Sequence, residues 1–354
     1  MEKQMTKKWL IAFFCGVLGV LTCLCIVAYM VDPFFQFRTK DNSYMLSGQF
    51  VSAGLLKNYD YDTLIIGSSM TQNFDMDLFR EKLGVKPLHI GLGRMEANEE
   101  LELLELAYAR PEVNRYYICA DMYMFTEAPG ESKNPQYLLK NDFLSKCRYL
   151  LSYEVWARYI PIDIGFMVAD RLGITLPQKY QDAKRIDKLE NFSLDYIFSE
   201  EAVLSNYTGG AYGVSNVEVE NLYERMKNQI DNYISGLDFE KGEYVFFFPP
   251  YSALYWVDTQ LTGAFEPYMQ GKKYFVQKLT ECGATVYDFQ SAEVIADLNN
   301  YKDVTHYSPA INDWMVECFA NKEYIVTVEE CDEYVAELER RLEEFRGRYS
   351  YLYQ

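Results

Sequence analysis

Short apolar stretches alternate with amphipathic segments along most of the chain after residue 60. Leu64-Ile65-Ile66 is apolar without polar alternation, which is typical of a central strand buried on both faces. The strands we predict are 64–66, 86–90, 113–120, 243–248 and 284–289. Helical periodicity at 76–83 and 96–109 separates the first three of them. This order predicts an α/β protein, a three-layer α/β/α sandwich with a central parallel five-stranded sheet.

The pattern changes between the third and fourth predicted strands. Residues from about 127 to 240 contain helical segments and no strand series, and we interpret them as an insertion or cap over the sheet edge. The surrounding domain is predicted to cover residues 61–326. Residues 31–60 form a predicted connector before it. Residues 327–354 form a charged C-terminal helix that either docks on the domain or pairs with a partner helix.

An uncharged apolar run from Trp9 to Met30 precedes the connector, and it is long enough to cross a bilayer as a helix. Lysines precede the run and Asp32 follows it. The positive-inside rule therefore predicts that residues 1–8 are a cytoplasmic tail and that the main domain is extracytoplasmic at the cell membrane. A cleaved signal peptide is the alternative, but its apolar region is usually shorter, and no small-x-small cleavage site follows Met30.

Composition excludes several classes of function. The net charge of −18 repels a phosphate backbone, so nucleic acid is not an expected partner. The 31 tyrosines suit either a carbohydrate-binding face or the core. Eight scattered cysteines give no disulfide framework, although one bond remains open, and Cys119 is expected in the core. No set of three residues has the spacing of metal ligands, and we expect no metal and no cofactor.

Two distant segments carry the residue types of nucleophilic catalysis. Ser68 and Ser69 follow the first strand in a glycine turn, at the sheet edge where ligands bind in open α/β sheets. Asp303 and His306 lie three residues apart after the last strand. A serine needs a base, and the base needs an orienting acid. The alternatives are local: Ser69 as a helix N-cap and Asp303 as a cap on its own loop.

These segments resemble the SGNH (GDSL-type) hydrolases. The stretch from Gly67 to Thr71 is similar to the first block of that family, with Ser68 where aspartate is usual. His89-Ile90-Gly91 is similar to the second block, with histidine in place of asparagine; a histidine on an apolar strand can also be a core residue. Asp303-Val304-Thr305-His306 matches the last block.

The resemblance implies roles for individual residues. Ser69 would be the nucleophile, His306 the base and Asp303 the orienting acid, while the backbone N–H groups of Ser69 and Gly91 would form the oxyanion hole. Further oxyanion or substrate residues are expected at Ser68, Gly93 and Tyr251, and core packing is the alternative for Tyr251. The third block departs from the family: the third strand ends at Asp121, without the expected asparagine.

With its membrane anchor, the chain looks most like the relatives that act in cell-surface polymer acylation, such as teichoic-acid D-alanylation and alginate or peptidoglycan O-acetylation. We therefore expect a serine-dependent acyl esterase or O-acyltransferase acting on an acylated cell-surface polysaccharide or related envelope polymer. A membrane-bound O-acyltransferase is the expected partner. The alternative is a non-catalytic SGNH-fold binding or scaffold partner of such an acyltransferase.

Overall fold

A computed structural model describes residues 2–39, 48–175, 196–209 and 218–353, with side chains from residue 7 onward. The chain divides into two compact units. Met1–Tyr59 and Asn134–Ile186 form the first, which we call the helical unit. Asp60–Lys133 and Asp187–Gln354 form the second, which we call the sheet unit. The predicted boundaries differ from these, because the first part of the expected insertion packs with the N-terminal segment.

The regular elements agree closely with the predicted ones. The strands are β1 (Thr63–Gly67), β2 (Pro87–Gly91), β3 (Arg115–Cys119), β4 (Glu243–Phe248) and β5 (Thr285–Asp288). The helices are α1 (Glu2–Val31), α2 (Gly48–Asn58), α3 (Met76–Leu83), α4 (Ala97–Tyr108), α5 (Gln136–Leu139), α6 (Phe143–Leu150), α7 (Ile160–Arg171), α8 (Glu200–Asn206), α9 (Leu222–Gly236), α10 (Ala253–Leu261), α11 (Phe265–Glu281), α12 (Pro309–Asn321) and α13 (Cys331–Arg348).

The sheet unit is built on five parallel strands in the order β2-β1-β3-β4-β5. The sheet grows in opposite directions from β1, through β2 on one side and β3 on the other. In doubly wound sheets of this order the switch point lies between β1 and β3, and ligands bind beyond the carboxyl ends of the strands there. The predicted α/β class and parallel five-stranded sheet are confirmed.

Aromatic residues cover both faces of the sheet. Alternate residues of β4 point to opposite sides, so that Phe246 packs on Phe275 of α11, whereas Phe247 packs on Phe319 of α12. Tyr117 of β3 also contacts Phe319. Many of the tyrosines are buried as well, so much of the unusual aromatic content belongs to the core.

Two segments outside the sheet have clear positions within the sheet unit. Helix α9, which the sequence assigned to the insertion, buries Met226, Ile230 and Tyr233 and packs against α11 and α4. It belongs to the helical covering of the sheet. Helix α13 buries Leu338 and Leu342 and packs against α10, so the charged C-terminal helix docks on its own chain.

The helical unit surrounds the C-terminal end of α1. Residues Lys7–Val31 are long and apolar enough to cross a membrane. Tyr149 of α6 donates a hydrogen bond of 2.8 Å to Asp32, which follows α1 directly. The predicted connector is part of this packing: Gly54 of α2 lies so close to the Phe34 carbonyl that an added Cβ would be 1.9 Å from its oxygen. All eight cysteines, each within the described ranges, are free thiols.

Candidate active site

The turn after β1 presents two adjacent serines. Gly67 is required there by packing, because an added Cβ would lie 2.4 Å from the Cβ of Cys119 on the neighbouring strand. Ser68 follows, and Ser69–Thr71 form a short 3-10 turn. The Oγ of Ser68 accepts a hydrogen bond of 3.2 Å from the Met70 N–H, so the capping role falls to Ser68 and not to Ser69. The hydroxyl of Ser69 is thereby left for other partners.

Ser69, His306 and Asp303 come together in one hydrogen-bonded chain. The distance from Ser69 Oγ to His306 Nε2 is 2.8 Å, although 237 residues separate them in sequence. On the other side of the imidazole, Nδ1 lies 2.8 Å from Asp303 Oδ2. This places the nucleophile, base and orienting acid of the predicted set within hydrogen-bonding distance of one another, at the carboxyl edge of the sheet.

Asp303 both shapes its loop and orients the imidazole. Its Oδ1 accepts backbone hydrogen bonds of 2.9 Å from Thr305 and 2.8 Å from His306. Burial alone would raise the pKa of this carboxyl group, but the hydrogen bonds and charge of His306 and the backbone N–H groups outweigh burial and lower the pKa to about 2. Local capping and catalytic orientation are therefore compatible roles of the same side chain.

Asp121 supplies a second buried carboxyl group beside the serine turn. It follows β3, is 1% exposed, and accepts a hydrogen bond from the Ser68 hydroxyl through Oδ2. Asp121 caps a 3-10 turn at Met122–Phe125, yet its side chain makes no capping hydrogen bond. Burial raises its pKa to about 7, even though Ser68 and His306 lower it. The sequence predicted Ser68 as a substrate contact, whereas the structure turns its hydroxyl inward to Asp121.

The second block lies directly behind the serine turn. Gly91 ends β2 opposite Gly67, and an added Cβ would lie 2.7 Å from the His89 ring and 2.8 Å from Thr71 Oγ1. His89 Nε2 and Thr71 Oγ1 are 2.8 Å apart. Thr71 in turn donates a hydrogen bond of 2.9 Å to the Ser68 carbonyl oxygen. The alternative of a core position for His89 is correct. The histidine contacts the serine turn through Thr71.

Two of the predicted site residues lie elsewhere. Tyr251 is 3% exposed and packs against Tyr255 and Trp256, so the structure places it in the core and not at a substrate surface. The physical reason is the apolar start of α10, whose residues are buried around it. Gly93 is exposed in the loop after β2, and nothing lies within 4 Å of the position that its Cβ would take.

A small cavity opens over Ser69 and His306. Its other lining residues are Met70, Gln72, Asn73, Tyr196, Phe198, Lys302 and Tyr307. The Nζ of Lys302 lies 3.6 Å from the centre of the Tyr196 ring. The sequence analysis did not predict these lining residues. Asn73 is four residues from Ser69 and could have been suspected. Tyr196 and Phe198 have no local sequence signal that indicates their position.

The described residues contain no cluster of His, Cys, Asp or Glu that could hold a metal ion. No protein-family model matches the chain, and no curated protein matches it either. The chemistry of the site must therefore be inferred from its own geometry.

Proposed function

We propose that the protein is a serine-dependent acyl esterase or acyltransferase. The observation that carries the proposal is the hydrogen-bonded chain Ser69–His306–Asp303 beside an open cavity at the carboxyl edge of the sheet. A serine hydroxyl is a weak nucleophile until a base removes its proton, and here an imidazole nitrogen lies at the distance that proton transfer requires. The resemblance to SGNH hydrolases, with their three-layer fold, is part of this proposal.

The reaction would proceed through an acyl-enzyme. His306 Nε2 takes the Ser69 proton as Oγ attacks the acyl carbonyl carbon, and the bond to the departing alcohol breaks as His306 returns the proton to its oxygen. Water or an acceptor hydroxyl, deprotonated by His306, then attacks the Ser69 ester and releases the serine. Asp303 holds the imidazole by Nδ1 and stabilises its protonated form throughout, since its low pKa keeps it ionised.

The predicted membrane anchor suggests a class of substrate. Helix α1 and the positive-inside pattern support an extracytoplasmic location for the main domain. We therefore infer an acyl ester of a cell-surface polysaccharide or related envelope polymer as substrate, with a membrane-bound O-acyltransferase as the partner that supplies or receives the acyl group.

A fluorophosphonate probe tests this proposal, because such probes react covalently with activated serines. We expect the purified full-length protein to be labelled, and Ser69→Ala to abolish labelling while Ser205→Ala, an exposed serine on α8, does not change it. Asp303→Asn should slow the reaction. Failure of well-folded wild-type protein to react would remove the proposal.

A non-catalytic binding or scaffold role is the second candidate. The observation that favours it is the third block, where the chain has Asp121 after β3 and no asparagine to complete the oxyanion hole. A carboxylate beside a developing oxyanion would oppose the reaction, whereas a protonated carboxyl group would not. Unlabelled wild-type protein that still binds a membrane-bound O-acyltransferase would favour this candidate over catalysis.

A further inference from the structure

The helical unit exposes apolar side chains well beyond α1. On α7 and at the residue that follows it, Ile164, Met167, Val168 and Leu172 are 41%, 49%, 49% and 69% exposed. At the start of α6, Phe143 and Leu144 are 77% and 76% exposed. Single exposed apolar residues are ordinary on a protein surface, but a contiguous group marks a surface that meets something other than water.

Four exposed apolar residues, Ile164, Met167, Val168 and Leu172, form one stripe along α7. Their spacing of three, four and eight residues from Ile164 places them on a single helical face. Ile160, Asp163 and Ala169 are buried. Part of α7 is therefore packed inside the unit, while the stripe is turned outward.

The stripe adjoins the apolar helix at the N-terminus. Helices α6 and α7 both pack against α1. The side of α1 that they cover is near its C-terminal end, where Ala28 is fully buried and Leu24 and Cys25 are partly covered, whereas residues 9–23 are exposed. Because residues 7–31 form the candidate span, α6 and α7 meet it at the end where the chain would leave the membrane.

We propose that α7 and the start of α6 lie in the boundary layer of the bilayer that α1 crosses, with the stripe inserted among phospholipid acyl chains. The proposal rests on α1 spanning a membrane. With 12 residues α7 is too short to span a bilayer itself, and Asp163 and Asp170 would oppose it, but an interfacial helix has neither restriction. Exposed Asp170 and Arg171 then fall at the end of the helix, where head groups and water are accessible.

Lipid is the occupant that the structure favours. The stripe lies on a helix that packs against α1, and α1 is itself apolar and exposed along most of its length. Exposed Tyr153, 85% accessible between α6 and α7, is of the residue type that concentrates at the level of the head groups. A separate protein partner is not required to cover either surface.

Depth-dependent fluorescence quenching tests this placement. The full-length protein carries an environment-sensitive fluorescent amino acid at Met167 or Leu172 and is reconstituted in phosphatidylcholine nanodiscs, with or without lipids brominated near the top of the acyl chains. We expect the brominated lipid to remove roughly half of the emission or more at both positions, as an interfacial depth requires. The same probe at Ile26, an exposed residue near the C-terminal end of α1, is the positive control, and at Leu261, an exposed leucine of the sheet unit, the matched negative control.

Emission at Met167 and Leu172 that is insensitive to brominated lipid would overturn the proposal, provided that Ile26 is quenched. Loss of emission at Leu261 equal to that at Met167 would also overturn it, because the quenching would then not be specific to the stripe. Insensitivity in nanodiscs combined with photo-crosslinking of position 167 to another protein in native membranes would assign the stripe to a protein partner instead.

Discussion

The two units of the chain differ in the exposure of their large apolar side chains. Among the described residues, all but four of the exposed large hydrophobic side chains lie in the helical unit; the four are Tyr196, Ile197, Leu261 and Tyr351. The sheet unit buries its aromatic residues on both faces of the sheet, and Tyr196 lines the cavity at Ser69. The helical unit thus exposes an apolar surface, whereas the sheet unit buries most of its large apolar side chains. The candidate chemistry is confined to the second.

Two buried acids, one in each unit, differ in how fully they are hydrogen-bonded. Asp32 in the helical unit accepts hydrogen bonds from the N–H groups of Gln36, Phe37 and Arg38 and from the Tyr149 hydroxyl. Asp121 in the sheet unit accepts one from Ser68, and its Oδ1 has no hydrogen-bond partner among the described residues. A buried carboxylate whose oxygens all accept hydrogen bonds is explained by its structural role. A buried carboxyl group with a free oxygen needs another explanation. Asp121 is of the second kind, and it lies beside the serine turn.

The largest effect we expect is on the labelling rate of the candidate site in the sheet unit. His306→Gln removes the proposed base, and we expect the rate of fluorophosphonate labelling to fall by ~10²–10⁴. The side chain of His306 is 30% exposed, so the fold should survive, and thermal unfolding is the control. A labelling rate close to that of the wild type in folded His306→Gln would show that Ser69 is not activated by this imidazole.

The next effect concerns the pH dependence of stability that two buried acids, Asp121 and Glu100, cause. Burial raises the pKa of Asp121 to about 7 and that of Glu100 to about 8 in the folded state, above their ordinary values. Between about pH 4 and those values the unfolded chain is ionised while the folded acid keeps its proton, so stability falls as pH rises. For Asp121 the loss is on the order of 4 kcal/mol.

Asp121→Asn removes this dependence at one site. We expect urea unfolding of the variant to lose less stability than that of the wild type between about pH 4 and about pH 8, with Glu100→Gln as the matched buried acid. Equal pH dependence in wild type and Asp121→Asn would contradict the view that Asp121 is protonated in the folded protein at mildly acidic pH.

A smaller effect is expected on the stability of the helical unit, with no effect on the candidate site of the sheet unit. Tyr149→Phe deletes the hydrogen bonds that Tyr149 makes with Asp32 and with the Phe34 N–H, which we expect to cost about 1–3 kcal/mol of local stability. Amide hydrogen exchange should accelerate at residues 32–37 and 143–150, while Ser69 labelling stays unchanged. Tyr153→Phe, on an exposed ring, is the control. Slower labelling in Tyr149→Phe would show that the units are not independent.

The smallest effect is expected at the wall of the cavity. Lys302 lies over the Tyr196 ring beside the nucleophile, and such a contact contributes ~0.5–1 kcal/mol. Lys302→Met should therefore raise KM for a short-chain ester by about twofold to fivefold and leave kcat unchanged. Lys278→Met on α11 is a control for the loss of one positive charge. A fall in kcat would instead place Lys302 in the reaction itself.

Local sequence pattern was sufficient for the strands and for the triad. Each strand is short, apolar and bounded by turn residues, so its position could be read within a few residues. Ser69, Asp303 and His306 could be grouped because the chain has only two histidines and parallel strands deliver their carboxyl ends to one edge. The order of the strands depends on long-range pairing, and no local signal gave it.

Tertiary packing decided what the sequence could not. Whether α9 belongs to an insertion or to the sheet depends on contacts between α9 and α11, about 40 residues apart in sequence, which periodicity does not report. Tyr251 was assigned by its place after β4, but burial of α10 decided its environment. The direction of the Asp121 side chain follows from its bond to Ser68, since capping alone would have turned it toward its own loop.

The most direct test of the central claim is to identify the residue that a fluorophosphonate modifies. Peptide mass spectrometry of labelled full-length protein can separate adducts on the two adjacent serines by their fragment ions. We predict a single phosphonylated residue, Ser69, because its Oγ lies 2.8 Å from His306 Nε2, while the Ser68 hydroxyl is buried against Asp121. An adduct on Ser68 or on a serine outside the turn, or no adduct on folded protein, would contradict the account.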